Sequence, residues 1–517
     1  MSTAEAVEAD SGLSYTDAAR FLEQSTFGPS PESIAYLQQV GVEVFLNEQF
    51  HAPPTSFPDL PMEWPGQVPV SCTGTCPRDN YSVYPLQTVF FRNALIGGDQ
   101  LRQRVTFALN QIFVTSAVDA DLRLASRMTH YLRMLSDNAF GNFRDLLRAV
   151  TLHPVMGNYL DMAGNNRANP NENYAREFLQ LFSIGLHELN DDGTVRTDGN
   201  GSPLPTYDQD AVVAFSRVFT GWNLAAAPAP GIANYRDPMV LNQNNHDVGA
   251  KRLLGGVVLP AGQNGRVELD AAIDNVFLHR NVGPFFGRQL IQKLVTSNPS
   301  PGYVARVAAA FNADHAGVRG NIKHVVRAIL IDPEARADQP GPSFGKLKEP
   351  VLALTNLLRA FDTTDATTDF VLGDSFLPAS LRLGQDVFRA PSVFNFYPPD
   401  APAPGTDLLG PEFALQSTAT ALARINLLYA LIYRTLAVSA DRPKSTWVEL
   451  AGLEPLAADP AALVEAVNVR LLYGTMSIPM RAIVTERVAA VAAADRRGRA
   501  RRAVYLVATS SAYQVQR

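Results

Sequence analysis

Apolar residues recur along this chain at the three-to-four-residue spacing of helices that bury one face, and rarely alternate as strands do. The first such run covers residues 16–26. A second opens at Ser30-Pro31, a capping residue followed by proline at the first helical position, where a missing N–H costs nothing. Gly41 closes it, and Val42 to Phe50 continues as a shorter helix. Helical patterns follow at about 84–96, 99–117, 122–136, 139–151 and 208–222. Four or five more are expected within 267–333, and others at 346–361, 373–388, 410–437, 460–473, 478–493 and 497–511.

The breaks between these runs have their own composition. Residues 53–82 hold many prolines and are expected to form a long ordered loop. Residues 188–206, ELNDDGTVRTDGNGSPLPT, are dense in Asp, Asn, Gly and Pro, which predicts a turn or small hairpin. Residues 223–265 carry short apolar runs broken by Gly, Pro and Asn, with Val257 to Leu259 a short strand. No repeat of fixed period is present. The fold class predicted is all-α, a large multi-helix globular architecture with small hairpins or short strands in its loops. The organisation expected is a flexible tail over 1–12, a helical core over 13–333, a Pro- and Gly-rich linker over 334–345, and a C-terminal helical region, 346–517, packed on the core.

One segment stands out, NENYAREFLQLFSIG, from Asn171 to Gly185. Asn169-Pro170-Asn171-Glu172 before and within it reads as a capping box: Asn169 caps, Pro170 takes the first helical position, and Glu172 reaches back to the cap amide. Tyr174, Phe178, Leu181 and Phe182 then form one apolar stripe. Glu172, Asn173, Arg176, Glu177 and Gln180 share the other face, with Glu172 four residues before Arg176 in the favourable order for an ion pair. A solvated helix face is usually rich in lysine, and this one has none. It suits a hydrogen-bonded network or ligand contact, so Glu172, Asn173, Arg176 and Glu177 are the candidate catalytic residues.

Composition narrows the partners. Charged residues make up 18% of the 517 and the net charge is -6, which argues against nucleic-acid binding as the main task. No stretch approaches the roughly 18 unbroken apolar residues of a membrane span. The N-terminus, MSTAEAVEADSGLS, lacks the basic start and apolar core of a secretory leader. The cysteines, Cys72 and Cys76, stand four apart in SCTGTCPRDN. A disulfide explains such a pair better than half of a metal site, because no second cysteine pair completes four ligands. A disulfide implies an oxidising compartment, periplasmic or extracellular, whereas the absent leader allows a cytoplasmic one.

Metal chemistry is the sharpest alternative. His153, Glu177, His187, His246 and Asp247 are suitable ligands for a divalent metal, with His187, His246 and Asp247 the metal candidates, and Lys251 follows in the same loop region. Eight histidines without tight ligand spacing are better explained as hydrogen-bonding residues. Other matches are weaker. HELND at 187–191 lacks the second histidine of a zinc-protease helix and runs into a turn. Residues 188–194 suggest a calcium loop but have Gly199 where the bidentate Glu belongs. GPSFG at 341–345 fits a nucleophile pattern without a preceding strand, so Ser343 is a chance match. The run Arg496, Arg497, Arg499, Arg501 and Arg502 reads as a solvated helix face. Amides and aromatics, Asn242 to Asn245 and Asn395-Phe396-Tyr397, together suit sugar or polymer recognition, and equally ordinary loop packing.

NENYAREFLQLFSIG resembles the hallmark segment of a bacterial family known only as domain of unknown function 1800. FLEQSTFGPSPESI, LRQRVTFALNQIFV, FSRVFTGW, HDVGAKRLLG, GKLKEPVLAL, LGQDVFRAPSVFNFYPP and SSAYQVQR resemble further family segments, in family order, over nearly the whole chain. The resemblance implies a large helical exported protein, with relatives often encoded beside a phosphatase- or sulfatase-like protein, and no agreed reaction. Many relatives carry a tryptophan-His-x-His run where this chain has Asn110 and Ile112, so any metal site those histidines form is lost or altered here. The expected function is that of a binding or accessory component acting with a partner on an extracytoplasmic polymer or conjugate. The alternative is a metal-dependent hydrolase or oxidoreductase using Glu177, His187 and His246.

Overall fold

The computed structural model describes residues 12–60, 68–338, 341–361, 376–436 and 445–517. Most of the expected tail, the start of the helix expected at 373–388 and part of the 334–345 segment lie outside these residues. Twenty-two α-helices and three two-stranded antiparallel sheets make up the regular structure of the described residues, an all-α protein as the periodicity predicts.

Local chemistry starts the helices where the sequence indicates. Ser14 accepts from the Asp17 amide and caps Tyr15–Ser25. Ser30 and Ser33 form a reciprocal capping box ahead of Pro31–His51, and Gly41, at φ +76°, breaks that run in the middle. The Gln100–Ile112 helix is the axis of the N-terminal half. Twelve of its thirteen residues are buried, against Pro31–His51, Tyr84–Ile96, Ala125–Asp137 and Val282–Leu294. A helix enclosed on every side finds most partners for its polar side chains inside the protein. Gln100 donates to the Gly97 and Asn93 carbonyls, and Gln103 donates to Asp99.

Val282–Leu294, Pro301–Asn312 and Ile322–Ile331 pack on one another, around Phe143, Phe286 and Phe311. Toward the end of the chain, Pro460–Leu472, Ile478–Ala489 and Arg496–Ala508 form a second helical cluster, with Thr418–Tyr433 against the last of them. In this cluster Arg499 departs from the solvated-face reading. It is buried and donates to the Ala457 and Val491 carbonyls. The last residues return to the core: Val515–Gln516 pairs antiparallel with Lys346–Leu347, and the Gln516 amide donates to the Leu294 carbonyl at 2.7 Å.

The loops hold the short strands. Trp222–Asn223 pairs with Val240–Leu241, and Lys251–Arg252 with Val258–Leu259. Residues 187–205 form an irregular hairpin through the bridges His187–Pro205, Leu189–Val195 and Thr197–Pro203. The 53–82 loop is less uniform than its prolines suggest, since Cys76–Asn80 is a short helix. Cys72 and Cys76 form a disulfide, with Gly74 between them at φ +64°. Among the described residues no helix is long and apolar enough to cross a membrane.

Gly28 packs the N-terminal region against the Pro350–Ala360 helix. At φ +130° a Cβ there would lie 2.6 Å from the Asn356 Cα, and the Asn356 amide donates to the Phe27 carbonyl at 3.0 Å. Gly28→Ala is expected to cost about 2 kcal/mol or more in urea unfolding, because backbone rather than a flexible side chain must move. Thiol titration of the natively isolated protein is expected to find none, and Cys72→Ser to lower stability by at most about 2 kcal/mol, since the closed loop is short.

Candidate functional site

The polar helix is shorter than its sequence suggests. It spans Asn173–Gln180, with Glu172 at the cap position and no side-chain cap bond. Asparagine side chains take the preceding backbone elsewhere: Asn165 Oδ1 accepts from the Asn171 amide, Asn171 Oδ1 accepts from the Asn173 amide, and Asn166 bridges to Asn169. Asn169-Pro170 therefore belongs to a turn and not to a capping box. At the other end Gly185, at φ +73°, turns the chain where a Cβ would meet the Phe285 ring.

The face that remains divides into three parts. Arg176 Nη2 pairs with Glu172 Oε2 at 2.9 Å, and Gln209 donates to the same carboxylate at 2.8 Å. Asn173 donates to Asp161, a residue held at φ +59°. Glu177 is half-buried. Burial pushes its carboxyl up despite Arg176, and its Oε2 has no hydrogen-bond partner among the described residues. Tyr207, whose phenol is pushed up by burial while Arg176 and Glu177 act on it in opposite directions, also has an unpartnered hydroxyl.

His246 and Asp247 occupy a different place. The His246 ring is fully buried, with Nε2 3.1 Å from Glu268 Oε2 and Nδ1 2.9 Å from the Thr220 carbonyl. Lys251 Nζ pairs with Glu268 at 2.7 Å and donates to the Asp247 and Gly249 carbonyls. Arg217 grips Asp247 with two bonds of 2.9 Å. Burial opposes ionisation of Asp247, yet Arg217 and the Gly249 amide hold its carboxyl down at about 2. Each predicted ligand here is thus engaged by protein, in a network that ties the 246–252 loop to the Gly265–Phe277 helix.

His153 is buried as well. Its Nδ1 accepts from the Val155 amide and starts the Pro154–Tyr159 helix, and burial lowers its imidazole to about 3. It lies on a cleft of about 520 Å³ with His130 and Arg133, Arg148 and Arg236. Two of these arginines are committed, Arg133 to Asp59 and the Phe57 carbonyl, and Arg148 to Asp270.

His187 is exposed, and the Asn281 side chain fixes its backbone by bonding the Ile184 and His187 carbonyls and the Leu189 amide. It opens on a cavity of about 500 Å³. Leu181 and Leu186 wall one side, Phe285, Arg288 and Gln292 another, and Phe394, Pro398 and Asp400 a third. Two segments that carry the family resemblance thus meet here, the end of NENYAREFLQLFSIG and the Pro-flanked loop near 394–400. Glu177, His246 and Asp247 do not line this cavity, and among the described residues no group of three or more His, Cys, Asp or Glu side chains is arranged to hold a metal ion. The set Glu177, His187 and His246, which a metal enzyme of the expected kind requires, is not assembled.

The same loop reaches a buried ionic centre. Lys346 Nζ lies 3.0 Å from Glu412 and 3.8 Å from Glu349, and donates to the Gln292 and Lys293 carbonyls. Glu349 accepts from Gln111 and Gln385. Arg104 donates to the Lys293 carbonyl at 2.6 Å, and the Lys293 ammonium sits 4.6 Å from the Tyr397 ring centre. Burial lowers Lys293 to about 8. Burial would raise Glu349, but the charges of Lys346, Lys293 and Arg104 outweigh it and hold the carboxyl below its usual range. Beside this centre Asn110, Gln111, Thr115 and Asn395 line a small cavity of about 10 Å³, each with an unpartnered polar atom, and Asn395 takes φ +63°. Ile112, by contrast, is part of the apolar core.

Sequence reading missed Arg104, Arg288, Lys293, Lys346, Glu349 and Glu412. A signal existed for Arg104, which shares a helical face with Leu101, Val105 and Ala108, where a charge has no solvent to meet. The others come together only through the fold.

Lys251→Met leaves the Glu268 carboxylate buried without its cation, and is expected to cost about 3–5 kcal/mol in urea unfolding. Glu177→Gln has the opposite sign. A carboxyl pushed up in the fold stabilises while protonated and loses that contribution as pH rises through its folded-state value. The variant should therefore melt about 1–3 °C higher than the parent at pH 8 and little differently at pH 4 by calorimetry.

Comparison with curated proteins and with solved structures finds no match. The family described as protein of unknown function (DUF1800) matches residues 20–515 of the 517. On a match that spans nearly its whole length, this chain belongs to the DUF1800 family.

Proposed function

We propose that this chain is a binding component that takes part of an extracytoplasmic polymer or conjugate into the cavity walled by Leu186, Phe285 and Phe394. The observation that carries this reading is the cavity itself: about 500 Å³, open to solvent, mostly apolar, with polar groups such as His187, Arg288 and Asp400 among its lining residues. Three large apolar side chains on its walls stay exposed, Leu186 at 49%, Val195 at 43% and Phe394 at 40%. Apolar surface grouped around one opening marks a contact site, whereas scattered exposed residues mean nothing by themselves. Rigid elements hold the walls, because Phe285, Arg288 and Gln292 project from one helix and Asn281 pins the facing turn.

The Cys72–Cys76 disulfide supports a place outside the reducing cytoplasm, periplasmic or extracellular. A partner is part of the proposal, in keeping with the phosphatase- or sulfatase-like proteins encoded beside relatives. Such a partner would supply the reaction while this chain holds the substrate.

Co-sedimentation with purified peptidoglycan sacculi, alginate and lipopolysaccharide tests the reading, comparing the parent with a Leu186→Ala, Phe394→Ala double variant. Both residues are exposed, so the fold should tolerate their loss. Binding to at least one polymer, weakened about fivefold or more in the variant, is expected if two apolar contacts are removed. Equal binding by the two proteins, or no binding to any of the three, overturns it.

A further inference from the structure

Arg288 contrasts with Arg217 and Arg306, and unlike the half-buried Arg470 and Arg501 it is not stacked on an aromatic ring among the described residues. Arg217 and Arg306 each lay both arms of the guanidinium on a carboxylate, Asp247 at 2.9 Å and Asp332 at 2.7 and 2.8 Å. Arg288 is half-buried in the wall of the 500 Å³ cavity, one helical turn beyond Phe285. Among the described residues its guanidinium makes no hydrogen bond and no ion pair. Asp400, on the same cavity, acts on it electrostatically without ion-pair contact, while burial disfavours its charge. A planar donor fork that is partly desolvated and lacks a carboxylate is poised for an oxyanion supplied from outside.

The rest of the lining defines what the oxyanion is attached to. Leu181, Leu186, Phe285, Phe394 and Pro398 offer no hydrogen bonds from their side chains, and the amides nearby are partly spent: Gln292 donates to the Ser297 and Pro399 carbonyls and Gln289 to that of Leu181. Gln180, His187 and Asp400 offer polar atoms on the lining, but walls this apolar would leave most hydroxyls of a neutral sugar without partners, at a cost for each. They suit an acyl or aryl body.

We propose that the cavity binds an amphipathic oxyanion, an apolar chain or ring bearing a carboxylate or phosphate, with Arg288 receiving the anionic group. This rests on the cavity being a ligand site and names the chemistry of its ligand. A free acid and the acyl or phosphorylated end of a conjugate share that chemistry.

Titration calorimetry of the full chain with decanoate, decyl phosphate and decanol separates the possibilities. At least one anion is expected to bind about tenfold or more tightly than decanol, the scale of a charge-assisted hydrogen bond. Which anion binds better tells carboxylate from phosphate. Arg288→Gln should remove that preference and leave decanol affinity within about twofold, while Arg288→Lys keeps part of it. The fold should survive both changes, since the Arg288 guanidinium bonds to no protein group among the described residues, and circular dichroism melting checks this. Equal affinity for anion and alcohol, or an anion affinity unchanged in Arg288→Gln, overturns the oxyanion assignment but leaves an apolar ligand site in place. Failure of all three probes to bind also overturns it, and polymer co-sedimentation then decides the broader reading separately.

Discussion

The ion pairs of Lys346 with Glu412 and Glu349 are the constraint on which this architecture turns. Charges removed from water cost several kcal/mol each unless paired and hydrogen-bonded. Here the pairing is possible only when distant segments meet. Lys346 and Glu349 lie at the entry to the C-terminal region, Glu412 comes from the chain beyond it, Arg104 from the enclosed N-terminal helix and Lys293 from the middle of the sequence. Any arrangement that separates them strands a charge. The centre therefore specifies how the C-terminal helices sit on the rest, a task that apolar packing would perform less selectively. The strand pairing of Lys346–Leu347 with Val515–Gln516 adds direction to that specification.

Two further buried charge networks use the same device on a smaller scale. Glu268 with Lys251 and His246 holds a loop of short strands against a helix. Glu23 receives Lys348 at 2.6 Å and the Tyr473 hydroxyl at 3.0 Å, joining the first helix to the C-terminal cluster. Each takes residues that would attract attention as chemistry and gives them structural partners. What distinguishes the 500 Å³ cavity is the contrast: its arginine has no such partner and its aromatic and aliphatic side chains remain in contact with water. Stability accounts for the networks, and it does not account for the cavity.

Helices and their starts were legible in the sequence because they depend on neighbours a few residues away. The apolar spacing indicated an all-α protein, Ser30-Pro31 indicated a helix start, and Gly41 indicated a break, all from interactions within one or two turns. The local reading failed where side chains competed with the helix backbone. Asn165 and Asn171 capture the amides that a longer NENYARE helix would have used, and His153 starts a helix that apolar spacing did not reveal.

Of the candidate site, the sequence by itself determined the residue types and the family. The segments NENYAREFLQLFSIG and LGQDVFRAPSVFNFYPP were visible as unusual before any fold was known. Tertiary structure alone decided which of their residues meet. It buried His246 against Glu268, left His187 on an open cavity, and set Arg288 beside Phe394 from more than a hundred residues away in the chain. The physical reason is that burial and charge pairing depend on distance in space, and in a protein of many packed helices that distance is set by which faces pack, not by spacing along the chain.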